Sequence, residues 1–214
     1  MNAKTVNYEQ RNRLQENSET NPLTPARYRQ FVRHFPEKHE VILDIGCNNG
    51  RGGVVVKETL GSESKLYGLE CVPERITQIP PGVYEKVFQG LADNIPMEEN
   101  SVDVVMAGEM IEHVHPREVD AVIAEFFRVL KIGGRLLMTT PNPGYIRNRL
   151  ARRSVLGDIG HLSQHHAHAL KMRLYLAGYS SVKLRGSGSA SRIIGERFPF
   201  LFPYGIYLIF GDKI

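Results

Sequence analysis

Two carboxylates and an imidazole fall within five residues of this sequence, Glu109-Met110-Ile111-Glu112-His113. Glu109 and Glu112 are three apart and His113 follows, so a single helical turn aims all three at a common point. Side chains of these types, gathered at one place, accept and donate protons as general bases and acids. Of the eight histidines in the chain, four lie in the stretch His161-Leu162-Ser163-Gln164-His165-His166-Ala167-His168. His161 is the one expected to reach the same cavity as a fourth arm. His165, His166 and His168 read as solvated residues at the start of a helix.

A second group of residues is suited to holding a ligand. Val41–Ile45 (VILDI) is a short apolar run that feeds Gly46-Cys47-Asn48-Asn49-Gly50-Arg51-Gly52-Gly53. Glycines at a strand-to-helix turn let the backbone bend sharply and approach a ligand closely, while the following helix points its amides at it. The next strand-like run, LYGLE, ends in Glu70, twenty residues beyond Gly50. A carboxylate at the tip of the neighbouring strand can accept from both hydroxyls of a ribose. Together these features predict a nucleoside site. The dinucleotide pattern G-x-G-x-x-G is not met, because Asn48 stands where its second glycine belongs.

Positioning these groups requires a framework of strands ending side by side. Runs at Val41–Ile45, Leu66–Leu69, Val83–Phe88, Val102–Ala107 and Arg135–Thr139 read as strands. The clearest helix between them is Arg117–Leu130, where Val119, Val122, Ile123, Phe126, Phe127 and Leu130 recur at helical spacing before Gly133-Gly134 ends the element. Strands alternating with helices indicate a parallel α/β sheet. An earlier helix, ARYRQFVRHF, precedes Pro36. The tail reads as a helix over His165–Ala177, a strand over Ser181–Arg185 and a last apolar stretch, Tyr204–Phe210, finishing as a sheet edge. Pro199, Pro203 and Gly205 disfavour an amphipathic membrane-surface helix in FPFLFPYGIYLIF.

The chain has 214 residues, 42% hydrophobic and 23% charged, as expected of one globular domain. Within it, 1–36 reads as a helical cap, 41–140 as the ligand-binding core, 141–164 as a substrate lid, and 165–214 as a helix with edge strands. No apolar run approaches the roughly 18 residues of a membrane-spanning helix, and residues 1–20 lack the apolar core of a signal peptide. Cys47 and Cys71 have no partner at metal or redox spacing, so a reducing, cytoplasmic setting is expected. Residues 1–140 carry 16 Lys/Arg against 20 Asp/Glu, whereas residues 141–214 carry 11 against 3. That basic third either meets something anionic or simply solubilises the surface.

In order and spacing, VILDIGCNNG, LYGLE, GLADNIP, SVDVVMAGEMIEHV, RVLKIGGRLLMTTPNP and LAGY resemble the successive motifs of class I S-adenosylmethionine-dependent methyltransferases, from Val41 to Leu184. The resemblance implies a Rossmann-like α/β fold: seven strands, mostly parallel with an antiparallel edge strand, and helices on both faces. It implies S-adenosylmethionine as cofactor, held around Asp44, Gly46, Cys47, Asn48 and Gly50. Glu70 would take the ribose, Cys71 with Leu91 and Ala92 the adenine, and Gly108 and Glu109 would flank the sulfonium. The family commonly has glycine at the position of Asn48, and asparagine tolerates the positive φ such a loop demands.

E-x-x-E-H with a later histidine is similar to the divalent-metal sites of ubiquinone-pathway O-methyltransferases and small-RNA 2′-O-methyltransferases. That likeness implies Mg, Mn or Zn on Glu109, Glu112, His113 and His161, gripping acceptor hydroxyls. Two further readings stand beside it: His113 or His161 as a metal-free general base, and transfer by proximity alone. Arg147, Arg149, Arg152 and Arg153 would suit an anionic acceptor or form a solvated basic helix. The leading expectation is O-methylation of a small anionic acceptor, such as a sugar, glycan precursor, quinone or secondary metabolite. The rivals are an RNA 2′-O-methyltransferase, disfavoured because the body is acidic, and a non-catalytic nucleoside-binding relative. DNA is not expected as a partner, and the apolar tail could support a homodimer.

Overall fold

The computed structural model describes residues 6–15, 19–61 and 63–214. Helices α1 (Tyr8–Arg13) and α2 (Thr24–Val32) precede β1 (Val41–Ile45), α3 (Arg51–Leu60), β2 (Lys65–Glu70), α4 (Pro73–Ile76) and β3 (Lys86–Gln89). Then follow β4 (Val102–Gly108), α5 (Val119–Val129), β5 (Leu130–Pro141), α6 (Ile146–Leu150), α7 (Ala167–Leu176), β6 (Tyr179–Ser187), α8 (Ser191–Ile194) and β7 (Ile206–Lys213).

Seven strands form one sheet in the order β3-β2-β1-β4-β5-β7-β6. The first five are parallel, and β7 runs antiparallel to both β5 and β6, one place in from the edge. The chain leaves β3 at one edge and returns to β4 beside β1. That reversal opens a crevice at the carboxyl ends of β1 and β4, where ligands of such sheets bind.

Because β1 is central, both its faces are covered, which accounts for its apolar residues on both sides of the sheet, with Asp44 the one exception. Alternation along the strand then divides two cores. Leu43 and Ile45 meet Val122, Ile123 and Phe126 of α5 and Leu170 and Leu174 of α7. Ile42 meets Tyr28 and Phe31 of α2 and Val55 and Val56 of α3.

Three boundaries depart from the sequence reading. The helix predicted over Arg117–Leu130 stops at Val129: Leu130 is already extended (φ −65°, ψ 137°) and pairs with Val102. Gly133, at φ +83°, therefore lies inside β5, in an irregularity that shifts the register with β4, and does not end the helix. Val83 and Tyr84 precede β3 because their side chains pack against Gly53 of α3. The last strand starts at Ile206, since Tyr204 is fully buried in the preceding turn with its hydroxyl donating to the Gly195 carbonyl.

Candidate functional site

A cavity of about 480 Å³ opens at the carboxyl ends of β1, β2 and β4, within the size range of small-ligand pockets. Its first wall is the β1–α3 loop. Gly46 (φ +70°), Asn48 (φ +53°) and Gly50 (φ +83°) all adopt left-handed conformations. Asparagine at 48 does take up the positive φ that its position requires. The loop folds back on β2 through Gly46 N–H and Cys47 N–H, both donating to the Leu69 carbonyl (2.8 and 3.1 Å).

Glu70, 4% exposed, secures that loop. Its Oε2 accepts from Asn48 N–H (2.9 Å), and its Oε1 accepts from Cys71 N–H and Val72 N–H (3.0 and 2.9 Å). A carboxylate has about four lone-pair sites, so Oε2 retains capacity for a ligand hydroxyl. Glu70, Gly46, Cys47, Asn48, Cys71, Leu91, Ala92, Gly108 and Glu109 all line the cavity. Asp44 and Gly50 do not. Asp44 points, like Ile42, to the α2/α3 face, where Tyr28 O–H and Tyr84 O–H donate to its two oxygens, each at 2.8 Å. Complete burial raises its pKa to about 7.

The opposite wall is charged and unsatisfied. Glu109 follows β4 with φ +56°, a conformation rare for a side-chain-bearing residue and concentrated at functional sites. Its Oε2 lies 3.8 Å from Nη2 of Arg27, a residue of α2 that is 7% exposed. Arg27 Nε and Nη2, Glu109 Oε1 and Glu112 Oε1 are all buried with no hydrogen-bond partner. Buried polar atoms are rarely left so, and these belong to residues that line the cavity. Burial pushes both carboxyl pKa values up, Glu112 the further because Glu109 adds repulsion while Arg27 pulls Glu109 back. Of the two carboxyls, Glu112 is the one held further toward its protonated form.

Glu112, His113 and His161 each bring one ligand-capable atom within 4.8 Å of the others; Glu109 is not part of this group. His113 Nδ1 lies 3.0 Å from the Gly160 carbonyl, and His161 Nδ1 lies 2.7 Å from the Val155 carbonyl. A carbonyl can only accept, so an Nδ1 bonded to one carries a proton, and in a neutral ring the lone pair is then on Nε2. Gln15 Nε2 lies 2.8 Å from the same His113 nitrogen. Burial lowers the His113 pKa to about 4, so its ring is neutral. His165 is buried, not solvated as the sequence implied: its Nε2 contacts Ser163 Oγ (2.8 Å), and its carbonyl accepts from Tyr207 O–H. His166 and His168 are exposed.

Two placements were not legible in advance. Arg147, Arg149, Arg152 and Arg153 are all exposed, and none lines the cavity; the guanidinium on its wall beside Glu109 is that of Arg27. A charged residue sharing a helix face with Tyr28 and Phe31 was the available signal. Helix α1 borders the same cavity with Tyr8 and Asn12. Tyr8 O–H donates to Glu118, His115 N–H donates to Tyr8 Oη (3.0 Å), and Arg75 donates to the Asn12 carbonyl (2.6 Å). The base of the 141–164 segment is tied down by Leu162 N–H and Ser163 N–H, both donating to the Glu112 carbonyl (2.8 and 3.0 Å).

Comparison with known proteins adds three findings. A family described as a methyltransferase domain matches residues 43–138. The malonyl-[acyl-carrier protein] O-methyltransferase of Laribacter hongkongensis is 26% identical over 129 residues, 55% of this chain and 41% of that protein. A demethylmenaquinone methyltransferase of Oceanobacillus iheyensis is 28% identical over 119 residues, 52% of this chain and 49% of that protein. The chain thus spans less than half the length of the curated relatives it matches. In fold, it is similar to the crystal structure of an S-adenosylmethionine-dependent methyltransferase from Archaeoglobus fulgidus, with a TM-score of 0.71, 21% identity, and coverage of 89% of this chain and 93% of that one.

Proposed function

We propose that the chain, which matches a methyltransferase domain over residues 43–138 and has the fold of an S-adenosylmethionine-dependent methyltransferase, is such an enzyme and methylates an oxygen of a small anionic acceptor. The observation that carries this reading is the cavity with Glu70 on one wall and the unpaired atoms of Arg27, Glu109 and Glu112 on the other. When bound, S-adenosylmethionine supplies an electrophilic methyl on a sulfonium, whose C–S bond breaks as the acceptor oxygen bonds to the methyl.

Glu70 holds the ribose hydroxyls through the free capacity of Oε2, while the β1–α3 loop brings its backbone against the methionine portion. Asp44, behind the loop, braces it through Tyr28 and Tyr84 and does not touch the cofactor. Arg27 binds the acceptor's anionic group with Nε and Nη2, which have no other hydrogen-bonded partner. Glu109, the carboxyl of the pair beside Arg27, takes the hydroxyl proton as methylation proceeds. Glu112, which burial beside Glu109 holds toward its protonated form, can donate a hydrogen bond.

A second reading is favoured by the grouping of Glu112, His113 and His161 with both Nε2 atoms available. Imidazoles whose other nitrogen is fixed by a carbonyl are the usual metal ligands, and two of them with one carboxylate suit Zn²⁺ or Mn²⁺ better than Mg²⁺. Such an ion would lower the acceptor hydroxyl's pKa. Free Cys47 and Cys71 are in keeping with a cytoplasmic setting.

Calorimetric titration of chelator-treated protein with S-adenosylhomocysteine, then with Mg²⁺, Mn²⁺ and Zn²⁺, tests both readings. Micromolar nucleoside binding is expected, and its absence would overturn the methyltransferase proposal in favour of a non-catalytic role. Metal binding lost in both Glu112→Ala and His161→Ala would make the metal reading the leading one.

A further inference from the structure

The stretch between α8 and β7 turns three aromatic rings to the outside. Phe198, Phe200 and Phe202 are 40%, 58% and 51% exposed. Their rings touch in succession, with centroids 5.9 Å apart in both pairs. Leu201, between the last two, turns inward against the core. Single exposed apolar residues are ordinary, but a run of contacting phenylalanines marks an interaction surface.

The ridge is built. Buried Asn142 donates from Nδ2 to the Leu201 carbonyl (2.8 Å) and the Tyr204 carbonyl (3.0 Å). Ile146 N–H, at the start of α6, donates to the Phe202 carbonyl (2.9 Å). Pro199 and Pro203 have no N–H to satisfy. The turn that carries the rings is thus anchored at the Leu201, Phe202 and Tyr204 carbonyls. Ile193 of α8 and Leu150 of α6 are also exposed, 85% and 78%.

Six exposed arginines lie in the segments of chain near it, between residues 147 and 197: Arg147, Arg149, Arg152, Arg153, Arg192 and Arg197. Acidic residues do little to offset them. Of the three in 141–214, Glu196 is engaged by His34 and Asp212 by Arg135. Rings flanked by uncompensated guanidiniums are complementary to a surface that is apolar inside and negative outside.

We propose that this face docks the protein on an anionic phospholipid bilayer, with Phe198, Phe200 and Phe202 inserted among the acyl chains and the arginines against the headgroups. The segment from α6 continues to Asp158, Ile159 and His161 on the cavity wall, so docking holds the cavity's rim at the membrane surface. This inference is independent of the chemistry assigned to the cavity.

Flotation with large unilamellar vesicles tests it, using phosphatidylcholine alone and phosphatidylcholine mixed with phosphatidylglycerol. Binding at least about tenfold stronger to the anionic vesicles, and weakened by salt, is expected. Replacing all three phenylalanines by serine should weaken binding about tenfold or more, as should Arg147→Gln, Arg149→Gln, Arg152→Gln and Arg153→Gln combined. Thermal melts check that the variants fold, and Phe200→Ser alone serves if the triple variant does not. Failure to bind anionic vesicles would overturn the proposal, and so would binding indifferent to the phenylalanines. Self-association in solution that the same serine substitutions disperse would assign the face to a second copy of the chain.

Discussion

Arg27 and Glu109 face each other across 3.8 Å on the cavity wall, too far for a hydrogen bond, and each keeps buried polar atoms unpaired. The guanidinium is close enough to hold the carboxylate's charge but is not consumed by it. Arg27→Met removes both the anion anchor and this compensation. We expect the KM for acceptor to rise about 10- to 100-fold, the effect of losing a charged hydrogen bond, with S-adenosylhomocysteine affinity nearly unchanged. Since Arg27 lowers the Glu109 pKa, the rising acidic limb of the kcat/KM profile should move to higher pH in the variant. An unmoved limb would separate Arg27 from the base.

Glu70 combines two tasks, closing the loop through three backbone N–H groups and offering a lone pair to the ligand. Glu70→Gln should weaken S-adenosylhomocysteine binding about 10- to 100-fold by calorimetry, with a fall in melting temperature of a few degrees. Full nucleoside affinity in this variant would remove Glu70 from the site.

His113 and Asp44 make opposite contributions to the pH dependence of stability. The His113 pKa falls to about 4 in the fold, so the unfolded chain binds the extra proton between pH 4 and its ordinary value near 6.5. Its contribution is present above pH 6.5 and is lost as pH falls through 4, an effect on the order of 3 kcal/mol at most. Urea unfolding from pH 7 to pH 4 should show this loss in the wild type and less of it in His113→Gln.

Asp44 behaves in the other sense. Its pKa rises to about 7 in the fold, so stability is greatest below its ordinary value near 4 and declines as pH rises through 7. Asp44→Asn, which retains partners for the Tyr28 and Tyr84 hydroxyls, should remove that decline between pH 5 and 8. A slope unchanged by the substitution would assign it to other groups.

Gly52 lies against the Tyr28 ring, where an added Cβ would stand 2.1 Å from Cζ. The ring is buried and cannot swing away without releasing Asp44. Gly52→Ala should cost about 1–3 kcal/mol in chemical denaturation, as overpacking does, and should weaken nucleoside binding through the displaced loop.

Much of the frame was present in local sequence. VILDI, LYGLE and the Val119–Phe126 stripe declare strand or helix through periodicities that act over a few residues. The glycine loop with Glu70 announces a ligand site because turn chemistry is equally local. Tertiary structure decided what depends on distant partners. Asp44 lies off the cavity lining, bonded to two tyrosine hydroxyls contributed by other elements. His165 was buried beneath Tyr207. The cationic wall came from Arg27, whose place beside Glu109 exists only once α2 packs on the sheet. The four arginines near 150, so conspicuous in the chain, were left outside the cavity. Spacing along a chain limits which residues can meet within a turn or a strand, whereas the direction of a side chain across eighty residues is set by which packed face its backbone lands on.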